Sequence, residues 1–201
     1  MAVRDVETPH GPARVHVTRV ERPRAALVLG HGAGGGVEAP DLAAAARAAH
    51  RQNVAVVLVE QPYRVAGRRS PAPARQLDAA WIAVIDALRE LELRSLPLVV
   101  GGRSAGARVA CRTAAAVDAV GVLCLAFPVR PPGRPGAPDR LDELDAVVVP
   151  TLAVQGVRDA FGMPSAGPQR TVVQVEGDHS LRRDAAAVER AVDAWLAELV
   201  L

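Results

Sequence analysis

Aromatic side chains are nearly missing from this 201-residue sequence, which holds two Trp, two Phe and one Tyr. A core of stacked rings is excluded. The apolar half of the chain must pack through Val, Leu and Ala, as parallel sheets covered by helices do. Lysine is absent, so every basic side chain is Arg; with the abundant Ala, Gly and Pro, this reads as compositional bias. The formal net charge of +2 supplies no basic stripe for a nucleic-acid partner. No apolar run approaches a membrane span, so no membrane partner is expected. The opening residues, Met1 to Glu7, carry early acids and no apolar stretch of a secretory signal. Cysteine is limited to Cys111 and Cys124, both in apolar segments. A buried, reduced pair in a cytoplasmic protein is the expectation. The five His are scattered, and no HxH, HExxH or CxxC spacing occurs, so neither a metal nor an organic cofactor is implied.

What the chain does have is alternation. Its length suits one domain spanning residues 1–201, with room for a real core. Residues 14–20 alternate as an edge strand, and 25–29 form a short buried one. Residues 41–51 read as a helix that Asp41 is placed to cap. The β-branched run 54–59 is a strand. Residues 76–93 carry Leu77, Trp81, Val84, Leu88 and Leu91 on one helical stripe. Strand 98–101, helix 105–116, strands 119–127, 147–154 (broken near its start by Pro150) and 171–175, and helix 185–199 complete the order. This predicts a three-layer α/β/α sandwich with a mostly parallel sheet, whose sites form at the carboxyl ends of strands.

One such end carries Gly102-Arg103-Ser104-Ala105-Gly106, a G-x-S-x-G pattern between strand and helix. In that context it is a nucleophile elbow, a sharp turn that lifts a serine hydroxyl above the sheet. Alone, the pattern also suits a glycine-rich loop with a solvated Ser104, the less favoured reading. An acid and a histidine are then required downstream, in that order and just past strands. Asp159 follows the strand ending at Val154, and His179 follows the strand ending at Val175. His179 would take the serine proton, and Asp159 would hold the other ring nitrogen. Asp178 competes as the acid, but its adjacency to His179 favours a turn-capping role. For the oxyanion, the expected donors are the N–H of Ala105 and, from the loop 30–36, that of Ala33, with Gly34 second. His31 reads as an anchor for that loop.

Together these residues resemble the α/β-hydrolase superfamily. More narrowly, they resemble a small hydrolase-like family that includes the hydrolase-like domain of nonspecific-lethal chromatin-complex subunits. The resemblance is carried by His31-Gly32-Ala33-Gly34-Gly35, Pro62-Tyr63, the run from Gly101 to Arg108, Phe127-Pro128 with the loop Pro131 to Pro135, Gln155-Gly156 with Asp159 and Phe161-Gly162, and Asp178-His179-Ser180. It implies a minimal α/β-hydrolase fold without a cap domain, and Ser104, Asp159 and His179 as a catalytic triad. Arg130 stands where a histidine is expected of such relatives.

The expected activity is therefore that of a serine hydrolase cleaving a small carboxylic ester or thioester, with a small acyl molecule as its partner. Tyr63, Arg68 and Arg130 are the candidate substrate contacts. Arg64, Arg69 and Arg134 would extend a basic rim that favours acidic substrates. A non-catalytic interaction module that keeps the hydrolase fold is the alternative. A serine peptidase would need an extended peptide-binding surface that so compact a chain does not obviously supply.

Overall fold

In the computed structural model, which describes residues 1–134 and 136–200, eight strands form one sheet. They are β1 (Ala2–Val6), β2 (Ala13–Thr18), β3 (Ala25–Gly30), β4 (Val54–Glu60), β5 (Leu98–Arg103), β6 (Gly121–Leu125), β7 (Thr151–Gly156) and β8 (Arg170–Val175). Their order across the sheet is β1-β2-β4-β3-β5-β6-β7-β8. β2 runs antiparallel to both neighbours, and the pairings from β4 to β8 are parallel. The helices are α1 (Pro40–Arg51), α2 (Pro62–Val65), α3 (Ala74–Leu91), α4 (Ala105–Thr113), α5 (Leu141–Asp145) and α6 (Ala185–Leu199). The layers are those of an α/β/α sandwich, and the connections are too short for a cap domain.

Both faces of the sheet are covered, which is why its central strands read as unbroken apolar runs. Along β3, Ala26 and Val28 face one layer while Ala25, Leu27 and Leu29 face the other. The first layer is built by α3 and α4, with Trp81, Val84, Ile85 and Leu88 of α3 fully buried. Each such side chain contributes about 1.5–3 kcal/mol through the surface it removes from water. The second layer pairs α1 with α6 over Leu27, Val56 and Leu123.

Four expectations are corrected. Residues 14–20 do not form the sheet edge, because β1 lies outside β2. Arg4 and Asp5 obscure the alternation of β1, yet charges suit an exposed edge. Asp5 sits opposite Arg14 in register, and their side chains pair at 2.8 Å. Asp41 does not cap α1. Pro40 occupies the start of the helix and Ala39 its cap position, leaving Asp41 buried in the first turn. Residues 147–150 are not strand. They follow the overlooked helix α5, and the ladder begins at Thr151 because Pro150 has no N–H to give. The strand expected over 119–127 is confined to Gly121–Leu125, and Ala126 turns out of the sheet at φ 50°.

Candidate active site

At the end of β5 the chain turns abruptly into α4. Ser104 holds φ 52° and ψ −106°, a conformation an L-residue avoids, at a cost of about 1–3 kcal/mol. Close packing sustains it. α4 crosses the end of β3 so tightly that a Cβ on Gly106 would lie 2.4 Å from Gly30 O. One on Gly102 would meet the same oxygen at 2.4 Å. The Ser104 N–H donates to Leu125 O at 2.9 Å, tying the turn to the end of β6.

The side chains proposed as base and acid meet this serine. Ser104 Oγ lies 2.9 Å from His179 Nε2, and His179 Nδ1 lies 2.8 Å from Asp159 Oδ2. An ionised carboxylate only accepts, so Nδ1 carries the ring proton and Nε2 is left free to accept the hydroxyl hydrogen. The Asp159 side chain is 1% exposed. Its Oδ1 accepts from Phe161 N at 2.8 Å, and its Oδ2 also accepts from Gln155 Nε2 at 2.8 Å. The Phe161 ring stacks on the His179 imidazole with centroids 4.1 Å apart. Asp178 turns away from the imidazole: its Oδ1 accepts from Ser180 N at 2.9 Å and Ser180 Oγ at 2.6 Å, and the Ser180 bonds hold its carboxyl below the ordinary range.

The glycine loop after β3 lies against the same turn. A Cβ on Gly32 would sit 3.7 Å from Ser104 Cβ. His31 anchors the loop. Its Nε2 accepts from Gln61 N at 3.1 Å, so its Nδ1 donates to Gly32 O at 2.8 Å. Burial lowers its pKa, and the neutral ring is the form that can both accept and donate here. The Tyr63 hydroxyl is donated to Ala33 O at 2.8 Å, and burial pushes this phenol up to about 12. The N–H groups of Ala33, Gly34 and Ala105 make no backbone hydrogen bond among the described residues.

Arg103 joins these pieces in a way the sequence did not signal. Its Nη2 donates to His179 O at 3.0 Å, and its Nε lies 3.0 Å from Asp41 Oδ2, a charge contact without the alignment of a hydrogen bond. Burial pushes the Asp41 carboxyl up, with the Arg103 charge opposing it. Gln155 was also unforeseen in its role, although a polar residue inside the fully buried strand β7 is itself a signal. The arginines lie further out. Arg68 lines a recess with His10, Gln61 and Gln76 that includes none of the three converging side chains. The Arg130 side chain is 64% exposed and pairs with Asp139 at 3.0 Å, while its N–H donates to Phe161 O at 2.8 Å. Among the described residues, no group of three or more His, Cys, Asp or Glu is placed to hold a metal ion.

Comparison with known proteins agrees with this architecture. A lid-less α/β serine hydrolase from Xanthomonas campestris superposes with a TM-score of 0.80 at 21% identity, over 98% of this chain and 94% of that one. A dienelactone hydrolase from Anabaena variabilis gives 0.78 at 16%, over 98% and 96%. The esterase domain of a Rhodothermus marinus protein gives 0.70 at 16%, over 99% and 97%. At these identities the likeness is one of fold. No curated protein matches the chain by sequence. A family model described as an alpha/beta hydrolase domain matches residues 23–196, nearly the whole chain from β3 to α6. The chain belongs to the α/β-hydrolase domain family.

Proposed function

We propose that this protein is a serine hydrolase that cleaves a small carboxylic ester or thioester through an acyl-enzyme. The observation that carries the reading is the unbroken line of hydrogen bonds from Ser104 Oγ through His179 to the buried Asp159. His179 Nε2 takes the hydroxyl proton as Oγ attacks the acyl carbon, and Asp159 stabilises the resulting imidazolium. The carbonyl oxygen becomes an oxyanion, held by the N–H groups of Ala105 and Ala33, with Gly34 as the alternative to Ala33. As the intermediate collapses, the bond to the leaving oxygen or sulfur breaks, and that atom takes the proton from His179. A water molecule then gives its proton to His179 and attacks the acyl-serine, releasing the acid and restoring Ser104.

The absence of a cap supports a small substrate reached from an open edge. Two of the structural neighbours carry esterase or lactone-hydrolase names, which supports the ester class. Arg130, joined to Phe161 through its backbone, is the rim arginine best connected to the triad. Arg68 and Tyr63 are the more distant proposed contacts. The unjoined Cys111 and Cys124 sulfurs, 3.5 Å apart, support a reducing, cytoplasmic setting. Among the described residues, no helix is long and apolar enough to cross a membrane. The Gly101 to Arg108 run and the loop following Phe127-Pro128 support the narrower family that includes the chromatin-complex domain.

The test is labelling with a fluorophosphonate, followed by a screen of short p-nitrophenyl esters and acyl thioesters. The wild-type protein is expected to label, and Ser104→Ala to abolish labelling and reduce turnover by about 10⁴-fold or more. A folded wild-type protein that resists the probe would favour the interaction module.

A further inference from the structure

Gln155 is fully buried near the end of β7, yet its amide nitrogen is surrounded by acceptors. Nε2 lies 2.8 Å from Asp159 Oδ2, 3.0 Å from Phe127 O and 2.9 Å from Gly162 O. Three acceptors around one atom identify it as the nitrogen of the amide, and its two hydrogens serve all three. These acceptors come from two connections, one after β6 and one after β7. Phe127 follows β6, Asp159 follows β7, and Gly162 lies next to the Phe161 ring that covers His179.

We propose that Gln155 is a positioning residue that aims the Asp159 carboxylate at His179 through a donor carrying no charge. The proposal rests on the triad reading above and deepens it. The chemistry of the position excludes the obvious substitutes. A glutamate would place a second carboxylate against Asp159 and two carbonyl oxygens, all acceptors when ionised. A lysine or arginine would cancel the charge Asp159 needs to hold an imidazolium. An apolar side chain of equal size would fill the space and leave the carboxylate held on Oδ1 by Phe161 N alone. A neutral amide orients the acid and leaves its full negative charge for His179. The same amide holds the carbonyl before Met163, so the seat of Phe161 and the aim of Asp159 are set together.

Two variants test this. Gln155→Met keeps length and volume and removes the donors. Gln155→Glu keeps the shape and exchanges donor for acceptor. In each, fluorophosphonate labelling at Ser104 is expected to slow by about 100-fold, the scale of a small misplacement of reacting groups. With esters the loss is expected in kcat, with KM within about twofold. The decisive readout is the proton on His179 Nδ1. Held between imidazole and carboxylate, it is expected to resonate far downfield in the wild-type protein, and to shift or broaden away in both variants. A variant that labels at the wild-type rate with this resonance unmoved overturns the proposal. So does a slowed variant with the resonance unmoved, which would reduce Gln155 to packing. A wild-type protein without Ser104-dependent labelling defeats the triad reading instead. The resonance still reports in that case whether Gln155 sets the Asp159–His179 contact. If Gln155→Met does not fold, Gln155→Glu carries the test.

Discussion

The two halves of the candidate site are held by different means. Ser104 stands on backbone packed against backbone: Gly102 and Gly106 let β5 and α4 close onto Gly30, and the strain at Ser104 is maintained by that contact. His179 and Asp159 stand on hydrogen bonds and charge, from Arg103 to His179 O and from Gln155 and Phe161 to Asp159. The first half has no room for an added atom. The second has no tolerance for a lost donor. Substitutions should therefore separate them, the first yielding to added bulk and the second to a lost charge or donor.

The largest effect is expected on the hydrogen-bonded side. Asp159→Asn keeps the shape of the acid and removes its charge, and should lower kcat by about 10⁴-fold while the melting temperature stays within a few degrees. A rate within tenfold of wild type would show that His179 does not depend on Asp159. Arg103→Ala strikes the same half through stability. It leaves the fully buried Asp41 without its opposing charge and should cost about 3 kcal/mol, the low end for breaking a buried pair because the carboxyl can take up a proton. The pH dependence has a definite sign. Burial already raises the folded Asp41 above its ordinary 3.8. The folded state thus binds more protons than the unfolded one just above that value, and stability declines as pH rises through the folded pKa. Without Arg103 the decline should extend to higher pH and deepen, as denaturant titrations from pH 4 to 8 would reveal. Equal losses at both ends would remove the buried charge as the cause.

Gly106→Ala tests the packed half. The added methyl meets Gly30 O at 2.4 Å, too close for any real carbon, so β3 and α4 must separate. A cost of about 1–3 kcal/mol is expected, with labelling slowed because the elbow opens. Unchanged stability would mean that the crossing has slack. The smallest effect is expected at the rim. Arg130→Ala breaks an exposed pair with Asp139 and should change stability by less than about 1 kcal/mol. If Arg130 contacts substrate, the same change should lower the preference for acidic over neutral esters. An unchanged ratio would leave Arg130 as loop support only.

Much of this was legible in the chain. β3 and β4 read clearly as apolar runs because both faces of the sheet are covered there, and α6 because it packs one clear stripe. Ser104, Asp159 and His179 stand out by residue type and by their place after strands, and the structure joins them by hydrogen bonds. β1 stayed hidden because Arg4 and Asp5, paired with Glu92 and Arg14, break its apolar pattern, and α5 because five residues hold little more than one turn. Asp41 misled because a helix cap and a buried first-turn acid differ by one or two residues, and Pro40 decides between them. Arg103 gave no signal, since its partners, Asp41 and His179, lie 62 and 76 positions away.

Residue pattern and turn chemistry, which act over a few neighbours, were enough to specify alternating strands and helices and the strained serine turn. Which distant side chains meet was decided by the order of strands across the sheet. Setting β5, β6, β7 and β8 side by side brings Ser104, Asp159 and His179 to one edge. That order is chosen by the burial of both sheet faces under helices, a property of the whole packed chain that no short stretch of residues carries.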